Sequence, residues 1–252
     1  MKICLLVITM CLMLQIANGQ SQAMDSTINK HVAFKPEALI IPTGLLTYGI
    51  FGVKNDPIKR WNVDIREKFN PDRRISNIDD FLVVAPVATV YGLDFMGVEP
   101  KNNFLDRTVV LGTASAIVIS AVVVTKRNVT ARRPVGRSKA SFPSGHTSMA
   151  FMSAEFMNQE LKHLSPWYGV AAYGVAGFTG YMRLYNDKHF FSEVVAGAGI
   201  GILGTKIAYW LQPTIQNTIF KQRNKEQDST QQVFIAPSYN GSEMVLAASW
   251  TF

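Results

Sequence analysis

Cysteine is nearly missing. The chain has 2 in 252 residues, Cys4 and Cys11, both inside the apolar run at its N-terminus, so a processed protein would hold no disulfide in any compartment. Acidic residues are also short, with 18 Asp and Glu against 25 Lys and Arg and a formal charge of +7. That excess gives no nucleic-acid signal; many of the basic residues sit at 54–74 and at 126–139, where a site for an anion would want them. Uniform hydrophobicity is lacking too. Mean hydropathy is only +0.10, low for a chain wholly embedded in lipid, and the apolar residues are concentrated in blocks. The length implies one principal domain.

Met1-Lys2 precedes an apolar run at 3–16 and then Ala17-Asn18-Gly19. A basic start, a hydrophobic stretch and small residues read as a secretory signal peptide over 1–19, with a polar N-terminal segment over 20–37; an uncleaved anchor is the other reading. Apolar blocks at 38–53, 81–98, 108–125, 166–181 and 190–211, with a mixed helix at 149–161, predict an all-α, membrane-associated bundle of about six helices over 38–211. Residues 108–125 carry no charge and would form a helix about 27 Å long, close to the hydrocarbon thickness. The block at 38–53 is short and holds Pro42, and 81–98 contains Pro86 and Asp94, so for each a re-entrant or buried helix is the alternative to a span. Ile58, Trp61, Ile65 and Phe69 form one stripe opposite Lys59, Arg60, Arg66 and Lys68, which suits a membrane-surface helix or an ordinary core-facing one. Residues 212–232, with Pro213, read as a linker. Residues 233–252 read as a β-hairpin about Asn240-Gly241. Its aromatic end resembles the terminal strand of outer-membrane barrels, although one hairpin cannot close a barrel.

Three short clusters carry the chemistry. Lys126 is followed seven residues later by Arg133-Pro134; then comes Pro143-Ser144-Gly145-His146; then Arg183, with His189 six residues on and Glu193 four beyond that. Each has an ordinary reading. Lys126 closes an apolar helix, where a lysine snorkels or complements the helix C-terminus. Arg133-Pro134 alone is a loop dipeptide, Arg183 an interfacial anchor, and His189–Glu193 a helix-surface pair. His31 and His163 have surface readings and no assigned role. Taken together, the clusters supply cations, two imidazoles and a helix start, with almost no carboxylate. Ser144 reads as the N-cap of the stretch that follows, leaving backbone N–H groups for an anion, and Gly145 lets the anion approach. His189 and Glu193 share a helix face, so the carboxylate takes one ring N–H and the other nitrogen keeps its lone pair. That inventory suits gripping a phosphate ester and attacking phosphorus with a histidine. The cations do the electrostatic work, so neither metal nor cofactor is expected.

The order and spacing resemble the tripartite signature of the phosphatidic acid phosphatase type 2 superfamily, which includes lipid phosphate phosphatases, bacterial secreted acid phosphatases and vanadium-dependent haloperoxidases. Its pattern is lysine, six residues, arginine-proline; proline-serine-glycine-histidine; then serine-arginine, five residues, histidine, three residues, aspartate. The chain matches the first two in full. In the third, Met182 stands for serine and Glu193 for aspartate. The motifs run from Lys126 to Glu193, and the flanking apolar segments extend the likeness to about residues 38–211.

The resemblance implies a phosphoric ester hydrolase. Lys126, Arg133 and Arg183 would hold the phosphate oxygens, aided by the Ser144 hydroxyl and the backbone of Ser144 and Gly145. His189 would attack and form a phosphohistidine, His146 would protonate the leaving alkoxide and then activate water, and Glu193 would orient His189. The expected partners are a phosphorylated lipid or isoprenoid carrier and a membrane, with no nucleic acid; oligomeric state is left open. Vanadate-dependent haloperoxidase chemistry at His189 is one alternative, and the apolar blocks argue against it. A non-catalytic envelope protein with a vestigial phosphate pocket is the other, kept open by the Met182 and Glu193 departures. The signal places the protein in the bacterial envelope, in the inner membrane with its site facing the periplasm, ahead of an outer-membrane or soluble periplasmic location. If the signal is cleaved and the first three apolar blocks all cross, Lys126 ends on the cytoplasmic side; if one of the first two fails to cross, it faces the periplasm.

Overall fold

The computed structural model describes residues 36–69, 77–135, 140–228, 233–239 and 244–250. The expected signal peptide and nearly all of the polar segment lie outside them. A 3-10 turn, Pro36–Leu39, leads into α1 (Ile40–Lys54). Then follow α2 (Asp56–Phe69), α3 (Ile78–Leu82), α4 (Ala85–Phe95), α5 (Phe104–Asn128), α6 (Gly145–Leu161), α7 (Pro166–Tyr185) and α8 (Phe191–Asp228). Strands β1 (Val233–Tyr239) and β2 (Met244–Trp250) pair antiparallel, with Val233 opposite Trp250 and Tyr239 opposite Met244.

Local chemistry sets most boundaries. The Asn103 side chain accepts from the Asp106 N–H at 2.9 Å and starts α5; Ser144 caps α6, and Ser165 with Pro166 opens α7. The 81–98 block is divided. Pro86 sits in the first turn of α4, where its missing N–H costs nothing, so the chain breaks just ahead of it. The expected linker after residue 211 is corrected. Helix α8 runs on through Gln212 and Pro213 to Asp228, because Pro213 removes only one intrahelical bond and the Gln, Lys and Arg that follow are good helix formers.

The helices run end to end. At one end Asn62 and Ser192 exchange two hydrogen bonds of 2.9 and 3.1 Å, Asp79 pairs with Arg183, and the Ser144 N–H donates to the Glu193 carbonyl at 3.1 Å. At the other end the Lys101 N–H donates to the Glu160 carbonyl at 2.9 Å, His163 bonds the Glu99 carbonyl at 3.2 Å, and Gln212 bonds Asn102 at 3.1 Å. Helix α1 lies antiparallel to α8, with Pro42 beside Gly199 and Gly52 beside Ser192. Thus α1, α3 with α4, α5, α6, α7 and α8 each traverse the bundle once, in alternating directions.

Among the described residues, three helices are long and apolar enough to cross a membrane: Pro36–Lys54, Phe104–Asn128 and Phe191–Gln216. Helix α5 turns one stripe inward, Val110, Ala114, Val118 and Val122, at the four-residue spacing of a packed helix face. Its remaining apolar surface points out, and only 22% of its most apolar window is buried. Ile41, Phe51, Phe81, Phe95 and Trp167 are likewise exposed. An apolar exterior of that extent suits lipid rather than water.

Candidate active site

Four helix ends build the site. Lys126 comes from the end of α5, His146 from the start of α6, Arg183 from the end of α7, and His189 with Glu193 from the start of α8. Arg133 lies in the connection from α5 to α6. Backbone bonds hold that connection in place: the Ser141 N–H donates to the Ala131 carbonyl at 3.0 Å, next to a bridge between Ala131 and Ala140. Lys126 Nζ donates to the carbonyls of Ala140 and Ser141 at 3.0 and 3.2 Å. Lysine therefore shapes the loop as well as supplying charge.

Glu193 Oε2 is the hub of the buried half. It lies 2.9 Å from His189 Nδ1, accepts from the Ser141 hydroxyl at 2.6 Å, and accepts from the Phe190 N–H at 3.2 Å. The added methylene of glutamate does not break the contact, because the helix sets the two residues one turn apart. With the Ser141 proton committed to the carboxylate, Nδ1 carries its own proton and Nε2 keeps the lone pair. Burial pushes the His189 imidazole below its ordinary range; Lys126 and Arg183 push the same way, and Glu193 opposes them. Both effects favour the uncharged ring.

The charges of two cations, Lys126 and Arg183, act on that ring. Arg133 is near enough to Lys126, and Lys126 to Glu193, for their charges to interact. Arg183 is buried, and its charge acts on both histidines. The Nε atoms of Arg133 and Arg183 are buried without a hydrogen-bond partner. Orphaned guanidinium donors are costly and ask for an anion. Ser144 has protein partners of its own. Its hydroxyl shares a 2.9 Å bond with Thr147 Oγ1 and caps the Thr147 N–H, and its own N–H is spent on Glu193. At a helix start the first-turn N–H groups are the ones open to an anion.

The exposed half holds a feature absent from the sequence reading. His146 Nε2 lies 2.9 Å from Asp80 Oδ1, both side chains about half exposed. Burial and the Arg183 charge lower the proton affinity of His146, while Asp80 and Asp79 raise it. Asp79 is fully buried; it pairs with Arg183 and accepts from Asn186 Nδ2 at 3.3 Å. A cavity of about 290 Å³ opens beside His146, Gly145 and Asp80, its other walls being apolar residues such as Val83, Val122 and Met149. Asp79, Asp80, Ser141 and Asn186 were not singled out in the sequence. The sole hint is the Asp79-Asp80 doublet heading the 81–98 block. Among the described residues, Asp79, Asp80 and His146 form the one group with metal-ligand donor atoms within 4.8 Å of one another, but Asp79 is committed to Arg183.

Residues 110–217, which carry every expected site residue, match the family model of the PAP2 superfamily. A lipid A 1-phosphatase of Porphyromonas gingivalis is 46% identical over 83 residues, 33% of this chain. The match spans 19% of that relative's own length. Two crystal structures resemble this chain, each with a TM-score of 0.45. Aquifex aeolicus LpxE is 24% identical and covers 59% of this chain and 94% of its own. A transmembrane PAP2 type phosphatidylglycerolphosphate phosphatase from Bacillus subtilis is 19% identical, covering 73% and 96%.

Proposed function

We propose that the chain is a lipid phosphatase that hydrolyses a phosphomonoester or diphosphate through a phosphohistidine at His189. The observation that carries the reading is the pair of orphaned guanidinium nitrogens, Arg133 Nε and Arg183 Nε, beside an imidazole whose neutral tautomer is held by Glu193. The cations grip the equatorial oxygens while His189 Nε2 attacks phosphorus in line. As the phosphorus–oxygen bond breaks, His146 gives its proton to the leaving alkoxide. His146 then takes a proton from water, which attacks the phosphohistidine and releases phosphate. Glu193 meets the positive charge that His189 acquires. The outward-facing apolar surface and the lipid A 1-phosphatase relative both support a phosphorylated lipid as substrate. An assembled site with a fixed tautomer weighs against a vestigial pocket.

The location belonging to this reading is a bacterial membrane. A periplasmic site and a cleaved leader, both expected from the sequence, become alternatives once α1, α3 with α4, and α5 each traverse the bundle. The decisive experiment supplies detergent-solubilised protein with phosphatidate, a prenyl diphosphate and lipid A in parallel. The expected result is phosphate release from at least one, an acid-labile and base-stable phosphoenzyme, and neither in His189→Ala. Folded protein that releases nothing from all three would sink the proposal.

A further inference from the structure

We infer that Asp80 is a positioning residue for His146, so that the site holds two carboxylate–histidine pairs with different tasks. The inference deepens the proposed phosphatase reading and rests on it. The pairs differ in exposure. His189 and Glu193 have side chains only 3% exposed each, whereas His146 and Asp80 are 44% and 53% exposed. A nucleophile must stay neutral and keep its lone pair, which a dry environment favours. An acid that becomes a base within one turnover must exchange its proton with the leaving group and with water, which needs access.

Asp80 does not reach His146 by chance of a floppy loop. Its neighbour Asp79 is fully buried, ion-paired with Arg183 and bonded by Asn186. That anchor pins α3 to the end of α7, and the next residue of the same helix presents its carboxylate to His146 Nε2 at 2.9 Å. With Nε2–H donating to Asp80, Nδ1 is the nitrogen that exchanges a proton with the reacting group. In the first step the Nδ1 proton passes to the leaving oxygen as its bond to phosphorus breaks and the phosphorus–His189 bond forms. In the second, Nδ1 takes a proton from water as the water oxygen attacks phosphorus and that bond breaks. Asp80 stays ionised throughout and changes neither its proton count nor its bonds.

The charged groups facing His146 are Asp80 and Asp79 from α3 and Arg183 from α7. Arg183 and burial favour the neutral ring, and the carboxylates favour imidazolium, the form needed to protonate a leaving alkoxide. Removing the Asp80 charge therefore moves the loss of imidazolium to lower pH.

The test compares wild type, Asp80→Asn, Asp80→Glu, His146→Ala and the double variant on two substrates. Phosphatidate leaves as a basic alkoxide that needs a proton; p-nitrophenyl phosphate leaves as a stable phenolate that hardly does. Asp80→Asn should lower kcat on phosphatidate about 10- to 100-fold, with much less effect on the aryl ester. The alkaline limb of its pH profile should shift about one unit downward, and Asp80→Glu should restore part of the rate. In the His146→Ala background the substitution should add nothing. Equal losses on both substrates without a pH shift would make Asp80 merely structural and overturn the inference, as would wild-type kinetics in Asp80→Asn while His189→Ala is dead. Activity that depends on added divalent cation, and loses that dependence in Asp80→Asn, would overturn it in favour of a metal seat. Wild type without phosphatase activity would overturn both this inference and the reading beneath it.

Discussion

One carboxylate oxygen, Glu193 Oε2, takes donors from His189, Ser141 and the Phe190 backbone, so its removal acts on the nucleophile in two ways. The Glu193→Gln amide keeps the size, loses the charge that stabilises a phosphorylated imidazole, and can turn an N–H toward Nδ1. Turnover should fall about 10²- to 10⁴-fold with KM nearly unchanged, by comparison with amide substitutions in other carboxylate–histidine pairs. The pH profile gives a second check. In the proposed mechanism neutral His189 attacks, so kcat/KM should be lost as pH falls through a value that burial already depresses. Glu193 raises that value, so its neutralisation should move the acid limb to still lower pH. Wild-type turnover in Glu193→Gln would remove it from the mechanism. Lys126, Arg133, His146, Arg183, His189 and Glu193 were singled out in the sequence because they fall in three short clusters of fixed order and spacing, and for His189 and Glu193 helix periodicity turns that spacing into direction. Asp79 and Asp80 were not. Their partners Arg183 and His146 lie 104 and 66 residues away, and no local pattern tells an acidic doublet at a helix start from a dipole-complementing one.

The helix that orients the nucleophile also sets how closely the helices around it approach. A Cβ at Gly197 would come within 2.7 Å of the Ser144 carbonyl, and one at Gly199 within 2.7 Å of the Pro42 carbonyl. Gly201 faces the Ser148 carbonyl in the same way. Between membrane-embedded helices, association relies on this close packing rather than on water exclusion. Gly197→Ala should push the start of α6 from α8, costing about 1–3 kcal/mol of stability and lowering turnover, since Ser144 heads the His146 helix. Gly177→Ala, with nothing within 4 Å, should leave both unchanged. Thermal melting and phosphate release in the same detergent would check the pair. Which neighbour each of these glycines meets is not legible in the sequence, because that depends on the register between distant helices. Helix boundaries followed the same divide. Ser144 announced its helix start locally, whereas the continuation of α8 past Pro213 overrode a local breaker.

At the scale of the molecule, alternating traverses link the two ends. The chain that enters at Pro36 begins opposite the site, and α8 returns to that same end at Gln212, where it meets Asn102. A processed leader would put the start of α1 on the periplasmic side and carry the site to the cytoplasmic face. A periplasmic site requires the chain ahead of Pro36 to remain cytoplasmic. Basic residues do not choose between the two, because the site itself concentrates them. Single cysteines in a background lacking Cys4 and Cys11 would decide, with a membrane-impermeant maleimide applied to intact and opened spheroplasts. Lys101→Cys and Leu164→Cys should label together, and Asn55→Cys and Lys188→Cys should label together from the opposite side. A mixed pair would break the traverse scheme. Outside labelling of Asn55→Cys and Lys188→Cys goes with a periplasmic site and an unprocessed N-terminus. Their protection in intact spheroplasts goes with cleavage near Gly19, and N-terminal sequencing of the same preparation must then agree.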